Sequence, residues 1–245
     1  MAKFFYNLGK MTGPVARKGQ WMWKSLTGSE EEAIEAEHQV GRDLAAAVKE
    51  QLGVLTRSMD PKRSEWIDQM GDALAARILN KHRKFSFIIA DMDEPNAFAL
   101  PGGFIFLGRS LLDLCKWDRD EVAFVMAHEM GHVVKGHSID RIMNNAAISA
   151  ASRALPAAGV LVGWIKSAGV KVLQSAYSQD NEFEADHFAL RVVAAAGLSP
   201  RGGVRLMERL KEFSKSPVET ALGEYLTTHP PFDERIARMN KLIKS

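Results

Sequence analysis

The sequence predicts an α+β domain, mainly helical, with a small β-sheet beside a helix that carries histidines. Three observations predict it. Stretches at 30–55, 64–80 and 181–197 have the spacing or the start and stop residues of helices. Between them, "FSFIIA" (85–90) and "NAFALPGGFIFLG" (96–108) are short, aromatic and branched, as strands are. Directly after those strands comes "VMAHEMGHVVKGH" (125–137), which holds three of the chain's seven histidines.

In chain order, "EEEAIEAEHQVGRDLAAAVKEQLG" reads as a helix from Glu30 to about Leu55, with Ile34, Val40, Leu44 and Val48 inward and Gly53 as a stop. A second helix from Ser64 to Asn80 turns Trp66, Ile67, Met70, Leu74 and Ile78 inward. "LPGG" is a turn between two strands, with "FIFLG" returning from it. Asp118, with Glu121 three residues on, makes a capping-box-like start, so the histidine helix begins near Arg119. The helix through "NEFEADHFALRVVAAAG" is stopped by Gly197, with Pro200 beyond. From Arg201 the tail alternates helical pieces with the proline-bearing loop "TTHPPFDER".

Residues 30–245 are expected to form the one domain, and 1–29 an N-terminal arm. The 245 residues can bury a sizeable core, and 46% hydrophobic with 25% charged residues is ordinary for a globular protein. The net charge of +2 decides nothing about a polyanionic partner, and no nucleic-acid partner is expected. Residues 1–28 carry Lys3, Lys10, Arg17, Lys18 and Lys24 and no acid, interleaved with Phe4, Phe5, Tyr6, Trp21 and Trp23. That mixture suits peripheral contact with a membrane interface, or an arm packing its aromatics on the domain. It is not a secretory signal. Taken from Met1, the chain is expected in the cytoplasm, membrane-peripheral if the arm binds lipid. A natural leader would place it in the periplasm or cell envelope instead. Cys115 stands alone, so no internal disulfide forms. "ALPAAGVLVGWI" (154–165) falls short of the roughly 20 residues of a spanning helix. A core helix or an active-site flap fits it better.

On a helix, His128 and His132 project from one face, one turn apart, and two imidazoles so placed can reach one Zn²⁺. Glu129 lies roughly 100° around from His128, badly placed to ligate but able to take a proton from an attacking water. This is the HExxH arrangement, expected by chance in about one such chain in a hundred. Gly131 inside the helix costs about 1 kcal/mol relative to Ala, which makes sense if something approaches the backbone there. A catalytic zinc needs a third protein ligand. A third histidine six residues after the second would fall at Ser138, and His137 misses that position, so it is expected to cap the helix C-terminus. "NEFEAD" offers a glutamate instead. Glu182, Asp186, Leu190 and Val193 share one stripe, and carboxylates on a core-facing stripe are costly unless paired or metal-bound. Glu182 would ligate; Asp186, one turn on, would accept a hydrogen bond from a ligand histidine's outer nitrogen. Glu184 points away, toward solvent.

"HEMGH", "NEFEAD" fifty residues later and "THPPFDERI" near the end, with "NAFALPGGFIFLG" before them, resemble the HtpX and CAAX-prenyl-protease family of gluzincins. The resemblance is to its soluble branch, typified by periplasmic BepA-like proteases and the catalytic domain of the mitochondrial OMA-type protease. It runs from Glu30 to Ile243 with four motifs in register. From these residues neither the family's multiple membrane spans nor the helical-repeat domain of BepA-like members is expected. The resemblance implies a zincin-like metalloprotease fold with one zinc held by His128, His132 and Glu182. It also implies Glu129 as catalytic acid/base, Asp186 behind the ligands, and unfolded or misassembled polypeptides as substrates.

The oxyanion of peptide hydrolysis needs a further donor, for which His229, Arg235 and Tyr225 are candidates. His229, before two prolines, is presented from a stiff loop, and the resemblance implies that it can occupy the zinc's open position as a latch. An edge strand from Phe98 to Phe106 would pair with extended substrate, with Asn96, Phe98, Ala99, Gly102 and Gly103 as its contact residues. Two other functions need the same metal site: a zinc-stabilised chaperone or scaffold with little proteolysis, and another zinc-water hydrolase.

Overall fold

The computed structural model describes residues 29–54, 60–142, 158–170, 173, 177–215 and 231–244. The arm 1–28, His229 and Tyr225 lie outside the described residues. Helix α1 (Glu30–Gln51) opens on a capping box in which Ser29 and Glu32 satisfy each other's backbone N–H groups. Its predicted inward residues Ile34, Val40, Leu44 and Val48 are all buried. The helix ends at Gln51 rather than Leu55, because Leu52 is already extended and Gly53–Val54 (β1) pairs with the sheet. Helix α2 (Pro61–Ala75) starts three residues earlier than predicted. Asp60 caps it and Pro61 occupies the first turn, where its missing N–H costs nothing.

The sheet holds β1, β2 (Ser86–Asp91), β3 (Ala97–Leu100) and β4 (Phe104–Gly108) in the order β1-β2-β4-β3. β2 and β4 are parallel, while β1–β2 and β3–β4 are antiparallel. Both faces are covered, which explains why "FIFLG" is apolar at every position. On one face Ile88, Phe98, Leu100, Phe104 and Phe106 pack against α1 and α5 (Ala158–Ala168). Leu161 and Ile165 of α5 are fully inside, so the described part of the apolar run, from Ala158 on, serves as a core helix. On the other face Ile89, Ala99, Ile105 and Leu107 meet α2, the short α3 (Arg109–Leu114) and α4 (Arg119–Val134); α6 (Gln179–Ala195) and α7 (Arg201–Phe213) pack on α4, and α8 (Phe232–Lys244) packs on α6 and α7. Among the described residues no helix is long and apolar enough to cross a membrane.

Helix α4 runs through the middle of this second layer, and every residue from Glu121 to Val133 is buried. Asp118 caps it as predicted, accepting from the N–H groups of Asp120 and Glu121. The capping box is only half formed. The Glu121 carboxylate turns to α7, where Arg209 binds it through two nitrogens at 2.9 and 3.0 Å. α7 approaches α4 through Gly202 and Gly203, where a Cβ would stand 2.4 Å from the Asp120 backbone and 2.5 Å from the Phe124 ring. These contacts hold the first turns of α4, and with them the start of the histidine ladder.

The "LPGG" turn packs inward instead of offering itself to substrate, which corrects the assignment of Gly102 and Gly103 to a substrate-binding edge. Gly102 N–H donates to Glu37 at 2.9 Å, and His38 Nδ1 donates to the Gly102 carbonyl at 2.7 Å. Both glycines have positive φ, and a Cβ on Gly103 would sit 1.9 Å from the Lys84 carbonyl oxygen. The turn is the point at which α1 grips the sheet.

Candidate metal centre

Two helices bring the predicted ligands together. α4 supplies His128 and His132 from one face, with ring centroids 4.7 Å apart. α6 supplies Glu182 from its first turn, just behind the N-cap Ser178. The predicted stripe is real: Glu182, Asp186, Leu190 and Val193 are all buried. Gly131 lets the helices meet. A Cβ there would stand 3.1 Å from the Phe188 ring and 3.2 Å from Ala185 Cα, so α4 and α6 touch almost backbone to backbone. Gly131→Leu is expected to drive α6 off α4, costing about 3 kcal/mol and weakening metal binding because Glu182 rides on α6. Thermal melts with and without zinc check this; an unchanged melting temperature would refute the close packing.

His128, His132 and Glu182 place one ligand atom each within 4.8 Å of one another, all three residues buried. The two Nε2 atoms face each other at 3.1 Å, and the Glu182 oxygens lie 3.5 Å from His128 Nε2 and 3.4 Å from His132 Nε2. Two imidazoles and a carboxylate converging in a buried space form the His₂Glu set of catalytic zinc sites, and a divalent cation fits them. Burial opposes charge on His128, yet Asp186 and Glu182 outweigh it and raise its pKa to about 9. At His132 burial prevails and lowers it to about 3. A metal ion binds the neutral rings, so it would compete with protons at this site. Burial also works against the Glu182 carboxylate, but both histidines and Arg235 hold its pKa well below the ordinary range.

Asp186 Oδ1 lies 3.0 Å from His128 Nδ1, the outer nitrogen of that ring. Its carboxylate is also gripped by Arg235, with Nε to Oδ2 at 2.9 Å and Nη2 to Oδ1 at 2.6 Å. Arg235 Nη1 reaches Glu182 Oε2 at 3.2 Å. Arg235 thus comes to the site from α8, but its guanidinium is turned to the two carboxylates. Glu129 is buried and lines the same cleft as the ligands. Burial raises its pKa, and among the described residues its Oε2 has no hydrogen-bond partner.

His137 does not cap α4, contrary to the sequence expectation. The helix ends at Val134, Gly136 takes a positive φ, and a new helical stretch (137–142) folds the His137 ring back beneath His132. Glu184 is surface-exposed as predicted, but it is engaged by Lys135 at 2.6 Å and His137 at 3.2 Å. Sequence reasoning missed two neighbours. The Tyr177 ring stacks on His132, centroids 3.7 Å apart, and the Arg141 guanidinium lies 4.2 Å from the Tyr177 ring centroid. Arg141 follows His137 by four residues, a spacing that could have marked both as facing the site; nothing local marks Tyr177.

β3 is an edge of the sheet among the described residues. Gly108 N–H donates to the Asn96 carbonyl, so Asn96, Phe98 and Leu100 pair with β4 while Ala97 and Ala99 turn their main-chain groups outward. The Ala97 N–H is taken by Asn96 Oδ1 at 2.8 Å, and Arg141 donates to the Ala99 carbonyl at 2.8 Å. Asn96, Ala97 and Phe98 border the cleft, although the Phe98 ring stacks on Phe106 in the core.

Comparison with known proteins agrees with this geometry. A model of peptidase family M48 matches residues 61–243. The chain is 32% identical over 153 residues to mitochondrial metalloendopeptidase OMA1 of Schizosaccharomyces pombe, covering 61% of this chain and 44% of that protein. It is 29% identical over 193 residues to the beta-barrel assembly-enhancing protease of Escherichia coli K12, covering 73% of this chain and 38% of the relative. To the OMA1 protein of Saccharomyces cerevisiae it is 31% identical over 154 residues, 61% of this chain and 44% of the relative. The chain thus matches less than half the length of these relatives. The buried group His128, His132 and Glu182 could hold a metal ion, and the chain belongs to peptidase family M48.

Proposed function

We propose that the chain is a zinc-dependent endopeptidase acting on unfolded or misassembled polypeptides, with Glu129 as its acid/base. The observation that carries this reading is a buried His₂Glu group in one cleft with a buried glutamate and a sheet edge. Zinc, when bound, supplies the Lewis acid that acidifies a water and polarises the scissile carbonyl. Glu129, its pKa raised by burial, takes the proton of that water and delivers it to the leaving nitrogen. Asp186 fixes the His128 ring from behind, and Arg235 steadies Asp186 and Glu182 together.

An extended substrate would lie along β3 and pair with the outward main chain of Ala97 and Ala99, which reads backbone more than side chains and suits unfolded chains. To do so it replaces the Arg141 contact at the Ala99 carbonyl. A relative named as a beta-barrel assembly-enhancing protease supports a role in protein quality control. His229, as a latch on the metal's open position, belongs to the same proposal.

The test is cleavage of a denatured casein-type protein by the zinc-loaded chain. Cleavage is expected to stop with a chelator and return with zinc, and His229→Ala is expected to cleave faster. Zinc binding without chelator-sensitive cleavage would favour the scaffold reading instead.

A further inference from the structure

Peptide hydrolysis as derived above gives no role to His137, a buried group beside the site. Only 5% of it is exposed. Its Nδ1 lies 3.1 Å from Nδ1 of the ligand His132, with the ring centroids 5.2 Å apart. Its Nε2 lies 3.2 Å from Glu184 Oε2, and Glu184 Oε1 in turn lies 2.6 Å from Lys135 Nζ. The row Lys135, Glu184, His137, His132 leads from the surface to the metal ligands. It also ties the end of α4 to the start of α6, the two helices that carry those ligands.

The hydrogen-bonding capacities of these groups assign the protons. A carboxylate paired with a lysine only accepts, so His137 must donate to it from Nε2. A neutral imidazole with its hydrogen on Nε2 has a bare Nδ1, which can only accept. The 3.1 Å contact between the two Nδ1 atoms then requires His132 to donate. His132 is thereby left with its lone pair on Nε2, the atom that faces His128 and Glu182. His128 is served on its own outer side by Asp186. One ligand histidine is therefore backed directly by a carboxylate, the other by a carboxylate acting through a second imidazole.

We propose that His137, itself oriented by the Glu184–Lys135 ion pair, is a positioning residue that fixes His132 with Nε2 toward the metal, so that a half-exposed carboxylate tunes metal affinity. This rests on the reading of His128, His132 and Glu182 as the metal ligands.

The test measures zinc affinity of the full chain by competition with a chromophoric chelator, alongside melting of the metal-free protein. Wild type is expected to bind one zinc; if it binds none, the metal centre itself is wrong. His137→Ala is expected to lose about 10–100-fold in zinc affinity. Glu184→Ala removes only a half-exposed side chain, so the metal-free protein is expected to melt as wild type does while zinc affinity falls severalfold. Glu184→Gln keeps an oxygen that accepts from His137 and is expected to recover most of that loss. Wild-type zinc binding together with Glu184→Ala affinity within twofold of wild type would overturn the proposal, even if His137→Ala failed to fold. A Glu184→Gln variant as weak as Glu184→Ala would also count against it, because the hydrogen-bond chain would not then be what matters.

Discussion

Glu129→Gln is expected to bind one zinc per chain as tightly as wild type and to lose about 10²–10⁴-fold in turnover. Glutamine has the same shape and keeps an oxygen in place, so α4 and its two ligand histidines stay where they are. What disappears is a group able to take and return a proton. Glu129 sits in the cleft with the ligands, 7% exposed, its pKa raised by burial. A carboxylate placed there is a stronger base than one in water. Zinc content measured on the purified variant, with cleavage of a denatured protein followed in parallel, checks both halves. Near wild-type turnover would remove Glu129 from the chemistry. Lost zinc would show that it helps build the site.

The candidate ligand group could be read from sequence because helical spacing puts His128 with His132, and Glu182 with Asp186, on shared faces, and the family resemblance joined the two helices. Gly131 foretold a close backbone approach, and the approaching element is α6 at Ala185. The sheet could be read from its apolar runs, but its edge could not be. Gly102 and Gly103 look like a turn open to substrate, yet Glu37 and His38, some 65 residues earlier, hold that turn against α1. His137 failed for the same reason. Its spacing from His132 suggests a helix end, and only the left-handed Gly136 turns the chain back so that the ring meets His132. Local periodicity reports which face a residue shares within its own element. It carries no information about a partner on another element, and the roles of His137, Arg141 and Arg235 are all set by such partners.

Arg235→Ala is expected to destabilise the metal-free protein by about 3–5 kcal/mol. Arg235 is 1% exposed and bound to two carboxylates, Asp186 through two nitrogens and Glu182 through a third. Without it, two buried acids on one turn of α6 lose the guanidinium that offsets their charge. Added zinc supplies positive charge at Glu182, so the gap in melting temperature between variant and wild type is expected to narrow as zinc is titrated. Zinc affinity of the variant would still fall, because Asp186 no longer has its second anchor while it orients His128. These outcomes separate two roles for Arg235. A donor to the oxyanion would leave melting and zinc affinity at wild-type values and lower only the turnover number. A clamp on Asp186 and Glu182 moves stability and affinity first, and turnover follows from them. The geometry favours the clamp, since three guanidinium nitrogens already face the carboxylates.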